Sequence, residues 1–197
     1  MFKNDKVAEF FDNLVDKYGF DVRALAYGSK QSQLKKFQAL FDIGIKNGDS
    51  ILDVGCGFGD LYYFIKNKGI DIKYWGIDIS SKVVMLANQK FPDLKIIVGD
   101  ILEARGENLY DYVLCTGFNC VKTGCNWANV KMAIKRMFEL SRKGMALSSV
   151  SIYRTEKNPN TYYTSPEKLF RYCMGITNKV TMRHDYLPYD FVVYLYK

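Results

Sequence analysis

Ile51-Leu52-Asp53-Val54-Gly55-Cys56-Gly57-Phe58-Gly59-Asp60 is the stretch on which the reading of this 197-residue chain turns. Ile51–Val54 reads as a short buried strand. The three glycines at alternate positions after it let the backbone approach a ligand without Cβ obstruction. Asp60 then opens a helix that runs to Asn67. The dinucleotide fingerprint G-x-G-x-x-G is similar in form, but here the third glycine arrives one residue early. Two carboxylates also flank the turn, Asp53 ahead of Gly55 and Asp60 at the helix start. Negative charge there repels a pyrophosphate and attracts a ligand with cationic groups.

Outward from this turn, strand and helix signals alternate. Strands are expected at Tyr74–Asp78, Lys95–Gly99, Tyr112–Thr116 and Met145–Val150. A helix follows Ser80-Ser81 and stops at Pro92, and another carries Trp127, Val130, Ile134, Met137 and Phe138 and ends near Gly144. Ser165-Pro166 opens a further helix, with proline where its missing N–H costs nothing. Two β-rich runs, Lys179–Arg183 and Phe191–Tyr196, have a connection short enough for an antiparallel hairpin. Ahead of the core, Val7, Phe10, Phe11, Leu14, Val15 and Tyr18 recur at helical spacing. A second helix follows, with Ser32 as its expected N-cap, Leu34, Phe37, Leu40 and Phe41 on one face, and Asn47-Gly48 at its end. Alternating β and α elements give an α/β fold, a mostly parallel sheet with helices on both faces and ligands at the carboxyl ends of its strands.

The strand ends carry the chemistry. Asp78 lies 19 residues beyond Gly59, where a carboxylate accepts hydrogen bonds from ribose hydroxyls. Gly99-Asp100-Ile101 ends the third strand, offering an acceptor and an apolar surface to a purine, and Cys115-Thr116-Gly117 ends the fourth.

At these residues the chain resembles the class I S-adenosylmethionine (SAM)-dependent methyltransferases. Asp53 to Gly59 matches their first motif, Gly76-Ile77-Asp78 the second, Gly99-Asp100-Ile101 the third and Asp111-Tyr112-Val113-Leu114-Cys115 the fourth. The resemblance covers roughly residues 34–150 and implies a Rossmann-like seven-stranded sheet closed by the antiparallel hairpin. It implies one domain over 1–197, with 1–47 a helical lid and 48–197 the core. Its cofactor would be SAM, which joins an ammonium and a sulfonium to a ribose and has no phosphate. The residues implied for it are Gln33, Asp53, Gly55, Cys56, Gly57, Asp78, Ile79, Asp100, Ile101, Cys115 and Thr116. The segment Ala26 to Gln33 would close the pocket.

Composition bounds the alternatives. Apolar residues make up 48% and charged residues 25%, as in an ordinary globular domain. No apolar run reaches the ~18–20 residues of a membrane span, so no membrane role is expected. Charges interrupt the N-terminal apolar residues, which is unlike a secretory signal. Five cysteines, an odd number, fit reduced thiols in the cytoplasm, and Cys115, Cys120 and Cys125 lack the partners of a metal site. The net charge of +7 is spread along the chain, with no block of five or six like charges.

The acceptor is marked more faintly. No Asn/Asp-Pro-Pro-aromatic signature follows the fourth strand, where the sequence reads Thr116-Gly117-Phe118-Asn119, and no Pro-Cys occurs. A small-molecule acceptor is therefore expected over DNA or RNA. Asn119 and Tyr153 are candidates to orient it, and His184, the one histidine, is the candidate general base. A base points to oxygen as the methylated atom. The basic surplus favours an anionic acceptor, such as a phosphorylated, phosphoramidate or sugar precursor of a surface polysaccharide. RNA methylation remains the alternative, since +7 and 15 tyrosines also suit nucleic acid. A non-catalytic SAM-binding protein and a nicotinamide dehydrogenase are the others. Oligomeric state is not written in the sequence.

Overall fold

A computed structural model describes residues 5–117 and 120–197. Seven strands form one sheet: β1 (Ser50–Val54), β2 (Lys73–Asp78), β3 (Lys95–Val98), β4 (Tyr110–Thr116), β5 (Ser141–Val150), β6 (Val180–Leu187) and β7 (Asp190–Tyr196). Their order across the sheet is β3-β2-β1-β4-β5-β7-β6. The first five pair in parallel, β7 runs antiparallel to β5, and β6 antiparallel to β7. The expected α/β architecture and its closing hairpin are therefore present.

The central strands are near-continuous apolar runs because both their faces are covered. Leu52, Val113, Met145, Leu147, Phe191 and Val193 enter one core with α5 (Asn126–Leu140) and α6 (Pro166–Met174). Their sequence neighbours Ile51, Leu114, Ala146, Val192 and Tyr194 enter the other, with α2 (Lys30–Phe41) and α3 (Asp60–Lys66). The period of two along a strand sends alternate side chains to opposite layers. Burying each large apolar side chain contributes roughly 1.5–3 kcal/mol. A third cluster joins α1 (Asp5–Tyr18) to α4 (Ser81–Lys90) through Val15, Val83 and Val84, with Phe58 of the glycine turn. Polar contacts hold that docking: Ser80 Oγ donates to Asp12 Oδ1 at 2.5 Å, and Lys82 pairs with Asp16 at 2.5 Å.

Several boundaries differ from the sequence reading. Ser29, not Ser32, caps α2: its backbone is extended, its Oγ accepts the Ser32 N–H, and Ser32 Oγ accepts the Ser29 N–H. Ser32 fills the third position of a capping box, where a hydroxyl mimics a cap in sequence. The buried face of α2 runs through Gln33, Phe37 and Leu40, whereas Leu34 is 40% exposed. The helix stops at Phe41, well before Asn47-Gly48. Helix α5 ends at Leu140, and Ser141 is already extended. Gly144, expected near the helix end, sits inside β5 opposite Tyr196. A Cβ there would lie 2.5 Å from the Leu195 carbonyl oxygen, so glycine lets β5 and β7 approach. Strand β6 runs on past His184 to Leu187, with its pairing to β7 irregular between Arg183 and Leu187.

Candidate functional site

A cavity of about 870 Å³ follows the carboxyl ends of β3, β2, β1, β4 and β5 and reaches the first residue of β7. Open α/β sheets place ligands there because the connections diverge at that edge.

At its centre the backbone turns sharply after β1. Gly57 has φ +57, a left-handed conformation that side chains disfavour, and a Cβ on it would meet Leu25 Cδ1 at 2.7 Å. The neighbouring amides of Gly55 and Cys56 both donate to the Ile77 carbonyl, at 2.9 and 3.1 Å. Asp78, the last residue of β2, fastens the turn: its Oδ2 accepts the Gly57 N–H at 2.9 Å and its Oδ1 the Ser80 N–H at 3.0 Å. Each oxygen so bonded keeps a further lone pair for a ligand hydroxyl. Burial pushes the Asp78 carboxyl above its ordinary range, while those backbone donors pull it back.

Asp53 is also buried, with the Tyr74 hydroxyl donating to its Oδ2 at 2.8 Å. Desolvation raises its carboxyl to about 7; that phenol opposes the rise, and the charges of Asp78 and Asp60 add to it. Asp60 is tied from α2, where Lys30 Nζ donates to Oδ1 at 2.9 Å and Gln33 Nε2 to Oδ2 at 3.2 Å. Gln33 is fully buried, and its Oε1 accepts from Lys30 Nζ at 2.7 Å. The Tyr27 hydroxyl and Thr116 Oγ1 share a hydrogen bond of 2.5 Å, and burial keeps that phenol neutral. Buried carboxylates at the turn make an acceptor set for a cationic, hydroxyl-bearing ligand and repel a pyrophosphate.

All eleven residues expected around the cofactor line this one cavity. Asp78 and Ile79 lie at the β2 end, Asp53, Gly55, Cys56 and Gly57 at β1, Asp100 and Ile101 beyond β3, Cys115 and Thr116 on β4, and Gln33 on α2. The acceptor candidates are placed differently. Asn119 lies outside the described residues. Tyr153 is 58% exposed, hydrogen-bonded to Glu167 and away from the cavity lining. His184 is exposed on β6, stacked on Phe191 at 5.9 Å and edge-on to Tyr153 at 6.5 Å, and does not line the cavity. Its strand is the edge strand of the sheet, and its ring packs against Phe191 of β7.

The far end of the cavity holds residues that sequence reasoning missed. Lys36 of α2 lies one turn beyond Ser32 and Gln33, and its ammonium sits 2.6 Å from Asp190 at the start of β7. Both side chains are largely buried, at 14% and 12% exposure. The same ammonium lies 5.7 Å from the Tyr27 ring centre. Arg154, whose guanidinium lies over Tyr189, and Lys157, over Tyr163, add two more cations. The spacing of Gln33, Lys36 and Phe37 on one helix face was the available signal for Lys36. Asp190 had none, reading as part of a hairpin turn. Among the described residues, no three His, Cys, Asp or Glu side chains gather as a metal site would.

A family model described as "Methyltransferase domain" matches residues 51–144. A Mycobacterium tuberculosis protein named "Putative methyltransferase" is 28% identical over 155 residues, which cover 75% of this chain and 93% of that protein. A demethylmenaquinone methyltransferase of Thermotoga maritima is 32% identical over 90 residues, 46% of this chain and 38% of that one, so its shared part is much less than its whole length. Among solved structures, the magnesium protoporphyrin IX methyltransferase of Synechocystis with bound S-adenosylhomocysteine shares the fold at a TM-score of 0.71. That match has 16% identity and covers 99% of this chain and 100% of the other. The chain thus carries a methyltransferase domain over residues 51–144 and the fold of a SAM-dependent methyltransferase, with four motifs similar to those of the class I enzymes gathered on one cavity.

Proposed function

We propose that this SAM-dependent methyltransferase transfers its methyl group to an oxygen of a small polar or anionic metabolite, bound at the β5–β7 end of the cavity. The observation that carries this reading is the single cavity. Its β3-to-β4 part holds the eleven cofactor candidates, and its continuation is walled by Lys36, Arg154 and Lys157. These three cations outnumber Asp190 and Glu156 on the same part of the lining, which suits an anionic acceptor. In this reading Asp78 accepts from the ribose hydroxyls and Asp100 from the adenine amino group. Ile79 and Ile101 pack on the adenine, and Asp53 faces the cationic methionine portion. Gly55, Cys56 and Gly57 shape the turn beneath it, with Gln33, Cys115 and Thr116 closing the methionine end. SAM, when bound, supplies an activated methyl group; the protein aligns the acceptor with it and excludes water, which accounts for much of the acceleration in such displacements.

Residues 1–47 serve in this proposal as the lid, since Val7, Phe10, Phe11 and Tyr27 line the cavity from that side. Cys56, Cys115 and Cys120 on the lining form no disulfide, which supports action in a reducing compartment such as the cytoplasm. No helix of the described residues is long and apolar enough to cross a membrane. A second reading has an observation in its favour. Phe10, Phe11, Tyr163 and Tyr189 add aromatic surface to the cavity, and one relative is named for a quinone precursor, so a quinol is the competing acceptor class.

Thermal unfolding with SAM, S-adenosylhomocysteine or NADH tests the cofactor assignment. Ligand at 100 times its dissociation constant adds about 2.7 kcal/mol, or about 5–10 °C at this size. The two sulfur compounds are expected to raise the midpoint and NADH to leave it unchanged. A rise with NADH alone would sink the reading. Glycerol 3-phosphate and 1,4-dihydroxynaphthalene then separate the two acceptor classes.

A further inference from the structure

We propose that Asp190 is the catalytic base, its carboxylate accepting a hydrogen bond from the acceptor hydroxyl and taking the proton as that oxygen is methylated; this rests on the oxygen-acceptor reading above. The placement of Asp190 follows from the order of the sheet. Cofactor candidates occupy the ends of β3, β2, β1 and β4 in that spatial sequence, so the next strand ends along the row, β5 and β7, face the acceptor. Asp190 pairs with Val150 at this edge, and both line the cavity.

Asp190 is 8% exposed, and its Oδ1 is buried with no hydrogen-bond donor among the described residues. The Lys36 ammonium holds that oxygen in an ion pair at 2.6 Å, which fixes the orientation of the carboxylate at the cavity wall. Lys36 in turn stands over Tyr27, whose hydroxyl is bonded to Thr116 at the end of β4. One continuous set of contacts thus joins Asp190 to the cofactor end. Lys36 is a positioning residue in this scheme, holding the carboxylate at the cavity wall.

The step balances. The acceptor oxygen forms its bond to the methyl carbon while the carbon–sulfur bond breaks, and the bonding pair leaves with sulfur as neutral thioether. The hydroxyl proton passes to the Asp190 carboxylate and is lost to water after product leaves.

Catechol, 1,4-dihydroxynaphthalene and glycerol 3-phosphate serve as hydroxyl probes. Each is titrated into the S-adenosylhomocysteine complex by calorimetry and offered to the protein with methyl-labelled SAM. At least one is expected to bind and to be methylated on oxygen. Asp190→Asn should then bind it about tenfold more weakly and lose about 100-fold or more in kcat, with S-adenosylhomocysteine binding unchanged. Asp190→Glu should recover part of the rate. Lys36→Gln, which leaves Asp190 in place, should lower kcat about tenfold with S-adenosylhomocysteine binding unchanged, with Lys36→Arg recovering part of the rate, and it keeps the proposal testable if Asp190→Asn does not fold. An Asn variant that binds and methylates the probe like the parent overturns the proposal, as does an unchanged kcat in Lys36→Gln. Failure of all three probes to bind the parent also overturns it while leaving the cofactor assignment intact. Failure of S-adenosylhomocysteine itself to bind would instead sink the function proposed above.

Discussion

The two ends of the cavity are made of different material. Around β1 and β2 the wall is largely backbone, with amides of Gly57 and Ser80 and one carboxylate, Asp78, drawing them together within a short stretch of chain. At the β5–β7 end it is side chains from distant segments: Lys36 from α2, Arg154 from the connection after β5, and Asp190 from the last hairpin. A site built from a turn keeps its shape when surface residues change, whereas one built from distant side chains is re-cut by single substitutions. The cofactor end is thus the fixed half of the molecule and the acceptor end the adjustable half.

The sharpest break of this contrast is Asp78→Ala. It removes the ribose acceptor and leaves two buried amides without partners. SAM affinity should fall by about 100-fold or more, read by calorimetry. Binding within about threefold of the parent would move the cofactor away from the glycine turn.

A second test uses pH on the same half. The Asp53 carboxyl titrates at about 7 in the folded chain and at about 3.9 when unfolded. Between those values the native state holds a proton that the unfolded state has lost. The contribution to the stability of the cofactor-free protein is therefore full below about pH 4 and is lost as pH rises through about 7. Affinity for cationic SAM should run the other way, rising by up to about tenfold per pH unit as the carboxylate ionises. Asp53→Asn should flatten both slopes, measured by thermal unfolding and by calorimetry between about pH 5 and pH 8.

How far the sequence carried the structure follows the same division. The glycine turn, Asp78 and the strands beside them were legible because each signal is local: a buried strand, a turn that needs left-handed backbone, a carboxylate at the next strand end. Gln33 and Tyr27 were legible only as members of a segment. The Lys36–Asp190 pair was not, since its partners lie on different elements and meet only when the hairpin joins the sheet. Gly144 misled for a related reason. A glycine after an amphipathic run reads as a helix end, yet this one serves the approach of β7, which no local pattern encodes. His184 invited a catalytic role as the one histidine, but its ring is packed on Phe191 outside the cavity.

The smallest expected effect falls there. His184→Ala should change turnover by less than about twofold and leave SAM binding untouched, because the imidazole reaches neither end of the cavity. A tenfold loss of kcat with SAM binding retained would restore the histidine to the chemistry and weaken the case for Asp190.

The strand order β5-β7-β6 has a consequence for how the protein is made. Synthesis proceeds from the amino end, so β6 leaves the ribosome before the strand that joins it to the sheet. Until β7 is inserted, β5 keeps an open row of amides and carbonyls, and the layers on both sides lack Phe191, Val192, Val193 and Leu195, all fully buried in the finished fold. A nascent chain halted before Asp190 therefore presents an unpaired sheet edge beside exposed core, the surface that recruits other chains. Insertion of β7 thus closes the sheet, the cavity wall at Asp190 and the edge through which a newborn polypeptide would pair with another.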